Sequence, residues 1–121
     1  MIDHITLHVS DFAKAKEFYL ATLQPLGYAV VMEFEGFGVG LGVNGKPDFW
    51  IKGDGAGKPT HISFRANNRK AVDEFYDAAI AAGATDNGMP GLRAHYHPNF
   101  YGAFIFDLDG NNIEAVCHEA E

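Results

Sequence analysis

Three residues of this chain, His4, His61 and Glu114, are of the types that hold a divalent metal ion. Neutral imidazole and carboxylate suit iron(II), manganese, zinc or nickel, and a set of three leaves open positions for a substrate. A second group, "GLRAHYHPNFYG" at 91–102, concentrates arginine, histidine and tyrosine. There Arg93 could hold a substrate anion, with Tyr96 beside it. His97 and Tyr101, ahead of His95, are candidates to donate or accept protons. The competing reading is a hairpin loop whose aromatic rings cover a rim or a subunit contact.

The elements that must position these residues emerge from an internal repeat. "HITLHVSDFAKAKEFY", from His4, aligns without a gap on "HISFRANNRKAVDEFY", from His61, at an offset of 57 residues. His4 matches His61, Ile5 matches Ile62, and Glu17-Phe18-Tyr19 matches Glu74-Phe75-Tyr76. Two copies indicate a duplicated module and not a solenoid.

Each copy reads as a strand followed by a helix. Ser10 or Asp11 caps the first helix, whose stripe is Phe12, Ala15, Phe18, Tyr19, Leu20 and Leu23; Pro25 and Gly27 end it. Asn67 or Asn68 caps the second, which Gly83 stops. Three strands are expected after each helix, at 28–34, 37–43 and 48–52, then at 85–93, 100–107 and 111–118, with "DLDGNN" turning the last hairpin. The pattern is therefore βαβββ twice, an α+β fold in one domain, 1–121, with modules 1–53 and 60–121. The joint "GDGAGKP" at 53–59 resembles a phosphate loop in composition only. Lys52 stands where the first loop glycine belongs and Pro59 where Ser or Thr would bind magnesium, so it reads as a linker.

Alternation along a strand sends His4, Thr6 and His8 to one face and Ile5, Leu7 and Val9 to the other. The same parity sets His61, Ser63 and Arg65 against Ile62, Phe64 and Ala66, and Asn112, Glu114, Val116 and His118 against Ile113, Ala115 and Cys117. Each strand thus has an apolar face for a helix and a polar face of ligand types, which groups His4, His61 and Glu114 as a 2-His-1-carboxylate set. Whether the three strands share a cavity is left open, although the repeat would place the two leading strands side by side. His8 lies roughly 13 Å along the strand from His4, beyond the same metal shell, and reads as a substrate contact or surface residue. Arg65 reaches either the cavity or an exposed salt bridge. In "GFGVGLG" the alternating glycines mark a cavity floor or a strongly curved strand. Cys117 falls on the apolar side, where a buried inert thiol is expected.

The composition bounds the function classes. A net charge of −7 argues against nucleic acid as a partner. No apolar run approaches the roughly 20 residues of a membrane span. The single cysteine allows no intrachain disulfide, and a strand pattern that begins directly after Met1 leaves no room for a signal peptide. A cytoplasmic protein is expected.

The stretches "HITLHVSDFAKAKEFY", "HISF" and "FDLDGNNIEAVCH" resemble the vicinal oxygen chelate superfamily, which includes glyoxalase I, extradiol dioxygenases, fosfomycin-resistance thiol transferases and metal-free bleomycin-binding proteins. The resemblance covers nearly the whole chain, and "D-x-D-G-N-x-I-E" is its most specific part. It implies paired βαβββ modules whose mixed sheet curls into a cup around a metal, formed within one chain or across a homodimer, with the homodimer favoured. His4, His61 and Glu114 fall on the family's ligand positions. Glyoxalase I has a fourth ligand at the end of its first module. Matching Gly45 to Gly110 sets Phe49 opposite Glu114 with Trp50 as its neighbour, and neither binds metal.

Two functions are expected from these residues. One is a metal-dependent enzyme, of lyase, isomerase or dioxygenase type, acting on a small substrate with adjacent oxygens. In it His4, His61 and Glu114 are ligands, His97 and Tyr101 acid–base groups, and Arg65, Arg93 and Tyr96 substrate contacts. The other is a metal-free protein of the bleomycin-resistance type, whose cup sequesters an aromatic or planar compound against Phe49 and Trp50.

Overall fold

Asp11 and Asn68 start the two helices by the same device. The computed structural model describes residues 1–121. In it each of these side chains accepts a backbone N–H three residues on, from Lys14 at 3.0 Å and Ala71 at 2.8 Å, satisfying one of the donors a helix N-terminus leaves unpaired. Helix α1 (Phe12–Leu23) runs into a 3-10 turn, Gln24–Leu26, and Gly27 at φ 89° reverses the chain. Helix α2 (Arg69–Ala81) ends before Gly83. Of the α1 stripe, Ala15, Phe18, Tyr19 and Leu23 are buried and Phe12 and Leu20 half-buried, and α2 buries Ala71, Val72, Phe75 and Ala79 while Ile80 stays exposed.

The strands are β1 (Ile5–His8), β2 (Ala29–Phe34), β3 (Gly38–Val43), β4 (Lys46–Lys52), β5 (His61–Arg65), β6 (Thr85–Leu92), β7 (Tyr101–Phe106) and β8 (Asn112–Cys117). They form two four-stranded mixed sheets of identical topology, β1-β4-β3-β2 and β5-β8-β7-β6. In each, the first strand pairs with the last in parallel and the rest are antiparallel. The fold class is α+β, as the repeat predicts. No helix is long and apolar enough to cross a membrane.

The helices and the apolar faces of both sheets enclose one continuous core. The Phe49 ring bridges the modules, meeting Tyr19 at 5.1 Å and Phe64 at 5.2 Å edge to face, while Tyr28 meets Phe64 at 5.5 Å. Such pairs contribute about 0.5–1.5 kcal/mol each beyond area burial. A buried polar joint adds to them. The Tyr19 hydroxyl donates to Asp107, which also receives the N–H groups of Asp109 at 3.0 Å and Asn111 at 2.8 Å. Ser10 donates to Asp109 at 2.5 Å. The "DLDGNN" turn therefore docks the second module onto α1 of the first.

The leading strands are not paired with each other, although both line one cleft. β1 and β5 are edge strands of separate sheets. A cleft of about 750 Å³ includes Asp3, Thr6, Asp48, His61, Ser63 and Arg65 among its lining. A repeat states that the modules are alike; it does not state how they are joined. The alternating glycines of β3 are no open floor either, since Gly38, Gly40 and Gly42 are all buried. Cys117 is fully buried, as its parity requires.

Candidate functional site

The polar face of the second sheet carries the tightest ligand pair. β5 and β8 run parallel with Ser63 opposite Glu114 and His61 opposite Asn112. That register brings His61 Nε2 to 2.9 Å from Glu114 Oε1. Glu114 is only 5% exposed at its side chain, while His61 stays open at 53%. Phe104, directly across from Glu114 on β7, lies 6.3 Å from the imidazole ring and supplies an apolar bed. A carboxylate placed there is costly to bury and needs a cationic or donor partner. His61 is the partner present.

This pair fits a metal on the chemistry of its atoms. Two donors each about 2.1 Å from an ion, at right angles, stand about 3 Å apart, which is the separation of His61 Nε2 and Glu114 Oε1. The imidazole N–H that now donates to the carboxylate is the proton a metal would displace.

His4 belongs to the other sheet. Its Nδ1 donates to Asp3 Oδ1 at 2.6 Å, and Lys46 Nζ stands 3.3 Å from the same carboxylate oxygen. The His4 hydrogen bond, followed by Lys46, holds the Asp3 carboxyl below its usual range. A carboxylate on one ring nitrogen fixes the tautomer and leaves the other nitrogen as a lone-pair donor, the usual dress of a ligating histidine. The Asp3 carboxylate orients the His4 ring, a contact absent from the sequence reading although its adjacency to His4 was a signal. Within one chain no three His, Cys, Asp or Glu side chains gather as a metal cluster. His61 and Glu114 are therefore brought together, and His4 is not brought to them.

The register also moves the first module's equivalent of Glu114. Thr6 faces Trp50 and Ile5 faces Phe49, just as Ser63 faces Glu114 and Ile62 faces Ile113. Trp50, not Phe49, stands in the Glu114 position. Phe49 is 1% exposed and packed in the core on the helix side, at the wall of the cleft.

Most of the 91–102 candidates lie elsewhere. Tyr101 shares the helix side with Ala103 and Ile105. Its hydroxyl donates to Asp73 of α2 at 2.7 Å and its ring lies under the Arg69 guanidinium. The Asp73 bond, then burial, pushes its phenol up to about 12. Its acid–base role is withdrawn on that placement. His97 packs edge-on to His118 at 5.5 Å. His118 is four residues beyond Glu114 along β8, about 13 Å of strand. Arg93 spends its guanidinium on backbone carbonyls of Met89 and Gly91, each at 2.9 Å, and of Gly102, so it clamps the β6–β7 hairpin and is not free for an anion. Tyr96 is exposed and packs on Phe100. Arg65 makes no ion pair; it lines the cleft two residues from Ser63, on the face of His61.

Comparison with solved structures finds the same architecture repeatedly. A glyoxalase/bleomycin resistance protein from Albidiferax ferrireducens T118 is similar at 29% identity and TM-score 0.79, covering 95% of this chain and 96% of that one. A glyoxalase/bleomycin resistance protein/dioxygenase family enzyme from Burkholderia phytofirmans PsJN is similar at 22% and 0.73, covering 98% of each. A lactoylglutathione lyase from Agrobacterium tumefaciens is similar at 20% and 0.69, covering 97% of this chain and 92% of that one. The latter two likenesses show the fold alone. No curated protein matches the chain. The model of the Glyoxalase/Bleomycin resistance protein/Dioxygenase superfamily, however, matches residues 1–115, and the chain belongs to that superfamily.

Proposed function

We propose that this protein is a metal-dependent enzyme acting on a small substrate with adjacent oxygens, of the lyase, isomerase or dioxygenase kind. The observation that carries this reading is the His61–Glu114 pair, a buried carboxylate 2.9 Å from an open imidazole. His61 and Glu114 of one chain would hold the ion together with His4, whose Asp3-oriented ring a second copy would bring across the cleft. Bound there, an ion would supply Lewis-acid polarisation of the two substrate oxygens. The chain's own groups do the rest. The unpaired Arg65 guanidinium attracts a substrate anion, Ser63 offers a hydroxyl, and Phe104 keeps water from the floor. The reading is supported by the fold that the chain shares with proteins named lactoylglutathione lyase and dioxygenase family enzyme.

The test is the metal content of protein purified without an affinity tag, before and after incubation with iron(II), manganese, zinc or nickel. Stoichiometric metal, lost in His61→Ala and Glu114→Gln, supports the reading. Wild-type protein that holds no ion under any of these conditions sinks it. A metal-free binding protein of the bleomycin-resistance type is the second reading. It is favoured by Trp50, an aromatic ring in the position that Glu114 takes in the other module.

A further inference from the structure

The chain contains two Asn-Gly pairs, Asn44–Gly45 and Asn87–Gly88, and the fold treats them differently. Asparagine followed by glycine is the pair most open to ring closure, because no Cβ on the second residue shields its nitrogen. That nitrogen attacks the side-chain carbonyl carbon once its proton is given up. The outcome therefore depends on what holds the N–H and what holds the side-chain amide.

At Asn87 both are held. The Gly88 N–H donates to Asp86 Oδ1 at 2.9 Å, and a carboxylate acceptor opposes loss of that proton. Asn87 Nδ2 donates to Asn112 Oδ1 at 3.1 Å, which ties the amide to β8. Asn44 and Gly45, in contrast, are the whole of the turn between β3 and β4. Val43 pairs with Lys46 around them, and φ values of 56° and 77° put both in the left-handed region that a two-residue Asn-Gly hairpin requires. Both are exposed, and a Cβ on Gly45 would meet nothing within 4 Å. The Gly45 N–H meets no carbonyl of the chain, and the exposed Asn44 amide is solvated. Ring closure takes Asn44 out of the left-handed well, so the end of the hairpin must open. That end is lightly tied, since Pro47 has no N–H for the ladder and the register shifts between Leu41 and Gly42.

We infer that Asn44 is a site of spontaneous deamidation and that the fold protects Asn87 from it. The Gly45 nitrogen forms a bond to Asn44 Cγ, the Cγ–Nδ2 bond breaks, and ammonia leaves with the proton that the Gly45 nitrogen gave up. Water then opens the cyclic imide at either carbonyl, its hydroxyl going to carbon and its hydrogen to the Gly45 nitrogen. Opening at Cγ gives aspartate and opening at the backbone carbonyl gives isoaspartate, with nothing oxidised or reduced. Either product sets a new carboxylate two residues from Lys46, whose Nζ donates to the Asp3 carbonyl at 3.0 Å. Isoaspartate also lengthens the backbone of a turn built for two residues. The site goes beyond the proposed function and does not depend on it.

The test is peptide mass mapping of the folded protein after incubation in warm, mildly alkaline buffer, with digestion at acidic pH, where the ring does not close. The peptide carrying Asn44 should gain the mass difference between an amide and a carboxyl group, as separable aspartate and isoaspartate isomers. It should do so about tenfold faster than the peptide carrying Asn87, the factor that one hydrogen bond to a charged acceptor contributes. Asp86→Ala should speed conversion at Asn87 and leave the rate at Asn44 as it was. In urea, with the fold lost, the two wild-type peptides should convert at comparable rates. Equal rates in the folded protein would overturn the inference. So would an Asn44 that loses its amide in urea but keeps it in the folded protein, because the turn would then be closed to the reaction. A difference that persists in urea would also overturn it, since sequence and not fold would then set the rates.

Discussion

Trp50 and Glu114 occupy the same place in the two modules, each opposite the middle polar residue of its leading strand, Thr6 and Ser63. One module contributes an indole where the other contributes a carboxylate. The two copies of the scaffold thus differ in chemistry at this position, since an indole cannot ligate a metal and a carboxylate can.

Metal retention should accordingly depend on the second module. His61→Ala and Glu114→Gln should each cost more than the roughly 10–100-fold in affinity that follows loss of an outer-shell partner. Trp50→Phe should leave the metal content unchanged. Elemental analysis of tag-free protein after dialysis against a competing chelator measures all three. Equal retention in Glu114→Gln and wild type would remove Glu114 from the ligand set.

Asp3 makes a separable prediction, because it touches His4 and not the ion. Asp3→Asn should lower metal affinity by about 10–100-fold through loss of the carboxylate that orients the ring. It should leave the fold alone, since the Asp3 side chain is exposed. Chelator competition at constant melting temperature tests it, and unchanged affinity would make the Asp3–His4 pair a surface contact.

How far the sequence carries can be judged from these residues. The repeat register, the helix caps and the apolar parity of β1, β5 and β8 were legible, because each follows from local chemistry repeated 57 residues apart. The Trp50 position was not. Gly45 and Gly110 have nearly the same φ, 77° and 83°. Gly45, however, closes the tight Asn44–Gly45 turn, while Gly110 lies inside the longer turn capped by Asp107. Counting from glycine to strand therefore slips by one residue, and one residue reverses the face. Tyr101 failed for the same reason, since a loop-to-strand boundary gives no parity until the ladder is known. The separation of β1 from β5 was illegible in principle, because it depends on how two finished modules pack.

Gly40 tests the packing of Trp50 against β3. A Cβ there would meet three indole carbons at 2.8–2.9 Å, closer than real contacts allow. Gly40→Ala should destabilise by about 1–3 kcal/mol, the usual cost of overpacking. It should also shift the Trp50 emission to longer wavelength as the ring is lifted into solvent. Gly36→Ala, next to open space but at φ 72°, should leave the emission unchanged and report only backbone strain. Chemical denaturation and emission spectra of the two variants separate the effects.

Tyr19 ties the modules together through Asp107, and its titration has a definite sign. Burial first, then Asp107, raises its phenol well above the ordinary 10.0. A folded-state value above the unfolded one means that the folded chain holds the proton longer. The stabilisation is complete below the unfolded value and is lost as pH rises toward the folded one. Urea unfolding should therefore show a fall in stability above about pH 10, shared with Tyr28 and Tyr101, whose phenols are raised in the same direction. Tyr19→Phe should make that alkaline fall shallower. At neutral pH it should cost about 1–3 kcal/mol, because Asp107 loses its hydroxyl donor while keeping the N–H groups of Asp109 and Asn111. An unchanged alkaline slope in Tyr19→Phe would show that the buried joint between the modules does not hold the proton that its geometry implies.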